Sequence, residues 1–267
     1  MFHSVARADG RACDQLRPLS IRYGVYTYAD GSVLYQLGGT KILCSAKLQT
    51  SVPPFLKGKN QGWVTAEYAM LPAATPVRTQ RDSSAMKRNG RSVEISRIIG
   101  RALRSVVRLD LLGERTFFID CDVMQADGGT RTASITGAYL ALRHAVTNLV
   151  AKGALEENVL KDDIAAISVG VSGATCYLDL DCCEDMALSA DFNFVLTRSG
   201  DVIEIQGTSE SKPISWEHFD AMRILAIKGV RDIFAYVDMN SDAKELSAIK
   251  EVHNECTGTK TQSTIRE

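Results

Sequence analysis

One run, Gln125-Ala126-Asp127-Gly128-Gly129-Thr130-Arg131-Thr132, limits the fold of this chain more than any other stretch. It joins a strand-like segment, residues 116–124, to an apolar, helix-like segment, residues 133–152, through two adjacent glycines. Glycine tolerates the left-handed backbone of a tight strand-to-helix turn and leaves the backbone N–H groups uncovered. A helix start adds unpaired N–H donors and the positive end of the helix dipole. Arg131 adds a planar fork of donors, and Thr130 and Thr132 add hydroxyls. The sum is a pocket for an anion of phosphate size. A glycine pair before a helix is also a common tight turn, so the rest of the chain has to choose between the two readings.

The remaining pattern is mixed. Residues 33–51 alternate as two strands around Gly38-Gly39, and 62–70 read as a third that ends at Leu71-Pro72. Residues 73–90 are polar and carry Arg78, Arg81, Lys87 and Arg88, a long loop of the kind compact domains keep for function. Over residues 92–109, Ile95, Ile98, Ile99, Ala102, Leu103, Val106 and Val107 recur at helical spacing, with Ser92 as the expected N-cap. The opposite face carries Arg97, Arg101, Arg104 and Arg108. That stripe is a solvated or salt-bridged face on the plain reading, a subunit interface or RNA-facing wall on the sharper one. The helix over 133–152 ends at Gly153. Residues 164–171 with 175–180 form one expected hairpin, 192–197 with 202–206 a second, and 215–233 a closing helix. The order predicts an α+β fold of two related βα halves, 1–152 and 153–248. Residues 249–267 are expected as a polar, disordered tail.

A chain of 267 residues, 45% of them hydrophobic, can bury one large core or two packed halves. No run approaches the roughly 18 consecutive apolar residues of a membrane span. Residues 1–11 lack the apolar segment of a secretory signal, and the seven cysteines show no Cys-x-x-Cys spacing. The expectation is a cytoplasmic protein with reduced thiols, no zinc site and no membrane. Net charge is −1, but its distribution is uneven. Residues 1–131 hold 19 Lys+Arg against 11 Asp+Glu, and residues 132–267 hold 12 against 21. From Pro53 to Arg108 there are 11 basic residues and three acids. A polyanion partner would therefore meet the first half.

The second half has a concentration of its own. Asp179, Asp181, Glu184, Asp185 and Asp191 put five carboxylates into 13 residues, crowding that costs free energy unless positive groups neutralise it. This is an exposed acidic loop, or a carboxylate pair that holds a divalent ion or handles a proton. His3, His144, His218 and His253 are isolated, so oxygen ligands favour magnesium or manganese over zinc. His144, on an apolar helix, reads as a packing histidine. A basic half, an anion pocket and an acidic cluster fit chemistry at a phosphodiester.

Several motifs then converge. They are Asp9-Gly10-Arg11, Leu16-Arg17-Pro18, Val52-Pro53-Pro54-Phe55-Leu56, Gly62-Trp63-Val64-Thr65-Ala66-Glu67-Tyr68 and Gly90-Arg91. Gly100-Arg101-Ala102-Leu103-Arg104, the long run from Ile119 to Tyr139, and Glu204-Ile205-Gln206-Gly207-Thr208 complete the set. Over about residues 7–235 the chain resembles the ribonuclease PH family, in order and at the family's spacing. The resemblance implies an α+β fold like domain 2 of ribosomal protein S5, assembled as a homohexamer, a trimer of dimers. It implies a phosphorolytic 3′→5′ exoribonuclease that trims transfer-RNA precursors, with inorganic phosphate as co-substrate and nucleoside diphosphates as products. By that resemblance Arg91, Gly129, Thr130 and Arg131 bind phosphate, and Asp185 and Asp191 are catalytic and hold Mg²⁺. Arg78 and Arg81 grip RNA, in a loop where Ala73 replaces an arginine of many relatives. The competing classes are a non-catalytic RNA-binding ring subunit and a metal-dependent hydrolytic nuclease.

Overall fold

Over residues 132–142 every side chain is small or apolar and buried, all the way around a helix, and such a stretch has no side to give to water. The fold is organised around it. The computed structural model describes residues 7–82, 89–209 and 213–257, with 241–257 described as helix backbone alone. The first half contains β1 (Leu19–Tyr23), β2 (Gly31–Leu37), β3 (Thr40–Gln49), β4 (Trp63–Met70), α1 (Gly90–Val106), α2 (Leu109–Leu112) and β5 (Thr116–Gln125). Then come α3 (Thr130–Ala151), β6 (Ile164–Ser172), β7 (Thr175–Leu178), α4 (Cys182–Ala187), β8 (Ala190–Thr197), β9 (Val202–Ser209) and α5 (Trp216–Thr257).

The strands form a five-stranded sheet in the order β1-β2-β3-β5-β4 and a four-stranded sheet in the order β7-β6-β8-β9. All neighbours are antiparallel except β4 and β5, which are parallel because the chain returns through α1. The expected α+β class with a sheet in each half is what the chain adopts. Helix α3 packs on β2, β3 and β5 of one sheet and on β6 and β8 of the other. Gly137 lets β3 come close: a Cβ there would stand 2.8 Å from Cys44 Sγ. Helix α1 covers β4, and α5 covers β6 and β7. The buried apolar residues form one continuous cluster from Ile21 to Val237, so the two halves share a core.

The segment before β1 belongs in space to the second half. Leu178 N donates to Cys13 O at 2.7 Å, and Arg7 Nη1 and Nη2 donate to the carbonyls of Leu178 and Asp179 at 2.7 and 2.8 Å. Asp179 needs these partners because its φ of +54° turns its backbone out of the ladder. Its own carboxylate, 1% exposed, takes a bidentate pair from Arg17 Nε and Nη2 at 3.0 and 2.7 Å and a third hydrogen bond from Arg17 N at 2.7 Å. Arg17 Nη1 donates to Asp127 O, so one buried guanidinium ties the second half to the glycine turn. Burial opposes the charge of Arg17, but Asp179, Asp127 and Asp181 hold its proton more tightly than usual.

Several expectations are corrected. β1 alternates over only five residues, with Ile21 as the single buried position, too short a pattern to read. The stretch Asp181-Cys-Cys-Glu184 is not loop: Asp181 accepts from Glu184 N and Glu184 reaches back to Asp181 N, a capping box that opens α4. Helix α1 starts two residues before Ser92, because Asn89 Oδ1 caps it by accepting from Arg91 N at 3.0 Å. Helix α5 runs on to Thr257, so residues 249–257 are helical; no glycine or proline interrupts the chain between Gly229 and Gly258. Residues 258–267 of the expected tail lie outside the described residues, as do Lys87 and Arg88.

The arginine face of α1 is salt-bridged. Arg101 forms a fork on Glu204 at 2.8–3.0 Å, Arg104 lies 4.4 Å over the Trp63 ring and donates to Val64 O, and Arg108 donates to Asn158 O. Arg97 is exposed. His144 packs as expected, accepting from Ser32 N at 3.2 Å and meeting Tyr23 edge-on. The six cysteines described are free thiols. No helix among the described residues is long and apolar enough to cross a membrane.

Removing one partner of a buried ion pair leaves the other charge stranded. Asp179→Ala is expected to cost about 3–5 kcal/mol in urea unfolding, because Arg17 stays buried without its carboxylate. A loss below about 1 kcal/mol would show that the Arg17–Asp179 pair does not hold the halves together.

Candidate active site

The glycine turn is built as its residues require. Gly128 and Gly129 have φ of +74° and +65°, and Gly129 is the left-handed residue immediately before α3. Gly128 has a second constraint. A Cβ on it would lie 2.5 Å from Leu180 O and 2.5 Å from Asp181 C, so the turn rests against the backbone that starts α4. Thr40 fixes the turn from β3: its Oγ1 donates to Gly128 O at 2.6 Å and accepts from Asp127 N at 3.0 Å. Thr132 Oγ1 donates to Gly129 O at 3.0 Å, which closes the first turn of α3.

Arg91 and Thr130 meet through Tyr68, a residue to which the sequence reading gave no role. Tyr68 Oη donates to Thr130 Oγ1 at 3.1 Å, and the Arg91 guanidinium hydrogen-bonds the same hydroxyl. Burial pushes the Tyr68 phenol up, against the pull of Thr130 and Arg91, so it stays a neutral donor near pH 7. Arg131 lies one residue further on α3, with Nη2 3.4 Å from Glu94 Oε1 and Nε buried without a partner. Gly129, Thr130, Arg131 and Arg91 are thus brought together, with Tyr68 between them.

The two aspartates sit on the other side of Gly128. Asp185 is on α4, exposed, with its N–H bonded to Asp181 O at 2.9 Å. Asp191 is half-buried at the head of β8, opposite Gly170 of β6 and Thr208 of β9. Only Leu188-Ser189-Ala190 separates α4 from Asp191, so both carboxylates belong to one end of the second sheet. Glu184 is different. Burial opposes its charge, but Arg7, the Asp181 N–H and Arg11 hold it below the usual carboxylate range, as a structural anion rather than a proton donor.

The loop arginines diverge. Arg78 is exposed. Arg81 lines a cavity of about 720 Å³ on the outer face of the five-stranded sheet, together with Glu67, Asp82, Asp120 and Asp122. Glu67 and Asp120 are direct cross-strand partners. Burial and the charges of Glu67 and Asp122 push the Asp120 carboxyl up, and burial does the same for Asp122 against Arg81. Tyr68 adjoins this cavity as part of β4, while its buried side chain leaves the other face of the strand toward Thr130.

Two arginines at a half-buried glycine turn, with carboxylates across a glycine contact, can hold and work on a phosphate group. Comparison with known proteins narrows the class. Models of the 3′ exoribonuclease family match residues 15–147 with its domain 1 and residues 162–229 with its domain 2. A ribonuclease PH of Neisseria meningitidis is 52% identical over 226 residues, 85% of this chain and 93% of that protein. Its counterpart in Neisseria gonorrhoeae is 51% identical over the same shares. Among solved structures, a chain of the Archaeoglobus fulgidus exosome with RNA bound to the active site superposes with a TM-score of 0.72 at 21% identity. That match covers 86% of this chain and 92% of the other, a likeness of fold. The chain belongs to the 3′ exoribonuclease family. Within it, the chain is a member of the ribonuclease PH group of phosphorolytic 3′→5′ exoribonucleases.

Two predictions test the geometry. Gly128→Ala should push the turn off α4 and lower kcat/KM at least about tenfold, since a misplacement near 1 Å can cost about 10²-fold. Gly173→Ala, also at positive φ but with nothing within 4 Å of its Cβ, should leave activity unchanged and lower stability by about 1 kcal/mol. Equal loss of activity in both would deny the contact a special role. Asp120→Asn removes one of two like charges opposed across β4 and β5, so it should stabilise the protein by about 0.5 kcal/mol at pH 8. Asp120 titrates above its unfolded value, so the folded state already gains its proton as pH falls. The advantage of the variant should therefore fade on acidification, and urea unfolding at pH 8 and pH 4 checks it.

Proposed function

We propose that this chain binds inorganic phosphate at Arg91, Thr130, Arg131 and the backbone of Gly129, and trims the 3′ ends of transfer-RNA precursors and other structured RNA. The observation that carries the reading is the meeting of Arg91 and the start of α3 on Tyr68, a side chain's width from the backbone that begins α4. An anion there lies among guanidinium, hydroxyl and N–H donors, with Asp185 and Asp191 beyond the Gly128 contact.

A phosphate oxygen attacks the 3′-terminal phosphodiester phosphorus as the bond from phosphorus to the penultimate ribose O3′ breaks. The terminal nucleotide leaves as a nucleoside 5′-diphosphate, and the shortened RNA keeps a 3′-oxygen that must gain a proton. Arg91 and Arg131 hold the attacking anion and offset charge that builds on it. Asp185 and Asp191 orient a proton donor, directly or through water, toward the departing oxygen. Among the described residues no group of three or more His, Cys, Asp and Glu is placed to hold a metal. Mg²⁺ needs fewer, because it keeps several waters and binds through one or two carboxylates. Asp185 and Asp191 fit such a hydrated ion, which when bound would neutralise charge on the departing oxygen.

Arg78 and Arg81 are the RNA contacts of this reading, with Ala73 weakening the grip of their loop. The working form is a homohexamer, a trimer of dimers, in the cytoplasm. The chain keeps every residue assigned to phosphate and to the carboxylate pair, which favours an active enzyme over a non-catalytic ring subunit.

RNA with an unpaired 3′ end should shorten only when phosphate is present, with nucleoside diphosphates as the products. Monophosphates without phosphate would make water the nucleophile and refute the assignment. Asp185→Asn should lower kcat about 100-fold or more with RNA binding retained. Arg131→Ala should raise the KM for phosphate about 10- to 100-fold, the range for a lost hydrogen bond to a charged group.

A further inference from the structure

Arg131 can serve phosphate only if its guanidinium is held in one place, and one carboxylate does this. Glu94 lies on α1 three residues after Arg91, so both side chains leave the same face of the helix. Glu94 Oε1 accepts from Arg131 Nη2 at 3.4 Å and from Gln206 Nε2 at 2.8 Å. Gln206 stands on β9 in the second sheet, and its amide nitrogen must face Glu94 because a carboxylate only accepts. Its own Oε1 is buried without a partner, so the amide is committed to Glu94. Glu94, whose side chain is 42% exposed, is thereby tethered to the other half. Arg131 in turn keeps Nε buried and unpartnered, a donor that a bound anion can satisfy.

We propose that Glu94, braced by Gln206, is a positioning residue for the phosphate site. It fixes one end of the Arg131 fork and leaves Nε to meet phosphate, and through Gln206 it ties that orientation to the placement of β9. The inference rests on the reading of Arg131 as a phosphate ligand. It runs against bare electrostatics, in which a nearby carboxylate repels phosphate and its removal tightens binding.

The test uses the full chain with inorganic phosphate as probe. Glu94→Ala and Gln206→Ala should raise the KM for phosphate about tenfold, with kcat changed by no more than about twofold and RNA binding unaltered. Glu94→Gln, whose amide oxygen still accepts from Arg131, should restore a KM within about threefold of the parent. The rise in melting temperature on adding phosphate, measured without RNA, should shrink in the two alanine variants and recover in Glu94→Gln. An unchanged or lower KM for phosphate in Glu94→Ala would overturn the proposal, as would a lower KM in Glu94→Gln, the mark of a resident competitor. If Glu94→Ala does not fold, Gln206→Ala and Glu94→Gln carry the test. Should the parent protein gain melting temperature with phosphate yet release no nucleoside diphosphate, the reaction assignment fails while this inference is still decided by the thermal shifts.

Discussion

The pair of Arg17 and Asp179 is the contact on which the site depends, because it is where a first-half charge and a second-half charge leave water together. Buried ions are costly, and this pair is compensated by geometry: a bidentate fork, a third bond from the Arg17 N–H, and a further donor spent on Asp127 O. Asp127 opens the glycine turn, and Asp179 precedes α4 by three residues. One side chain thus ties the glycine turn to the segment that leads into the helix carrying Asp185. The N-terminal segment strengthens the same joint. Arg7 takes the carbonyls that the positive φ of Asp179 exposes, and its fork also holds Glu184, the residue that closes the capping box of α4.

Charge is sorted by the sheet rather than by the two halves of the sequence. Glu67, Asp120 and Asp122 project from the outer face of the five-stranded sheet, while the donors of the glycine turn gather at the start of α3, on its other side. Tyr68 stands between, neutral and committed to Thr130 and Arg91. A neutral residue suits that place: Tyr68 sits on the strand that carries Glu67 outward, while its own side chain turns to the opposite face and bonds Thr130. The raised carboxyl of Asp120 records its burial first, and then the like charge of Glu67 and Asp122 beside it.

The fold was largely legible because its signals are local. The alternation of β2 and β3, the helical spacing of α1 and the apolar run of α3 each follow from patterns over ten to twenty residues, whereas the parallel pairing of β4 with β5 was not read. The glycine turn was legible for the same reason, since glycine at positive φ leaves a mark in the sequence. What escaped was non-local or brief. β1 is five residues long, and α4 is six, its Asp181–Glu184 capping signature hidden inside a run of acids. Arg17, Tyr68, Glu94 and Gln206 were invisible as functional residues because their partners lie 162, 62, 37 and 112 positions away. No periodicity encodes such distances.

The arginines show how far composition can mislead. The excess of positive charge between Pro53 and Arg108 suggested one continuous polyanion surface, yet Arg101, Arg104 and Arg108 are each turned onto the protein itself. Glu204 and Glu157 offset the charges of Arg101 and Arg108, whereas the neutral partners of Arg104 occupy its donors and leave its charge. The charge that can act on RNA is therefore smaller than the count implies, and among the described residues of this stretch Lys57, Lys59, Arg78, Arg91 and Arg97 are exposed. A ligand held at the start of α3 would feel Arg91 and Arg131 at contact range and the others only through salt-screened water. Phosphate affinity should accordingly resist added salt better than RNA affinity does, since the two draw on differently buried parts of the same positive half.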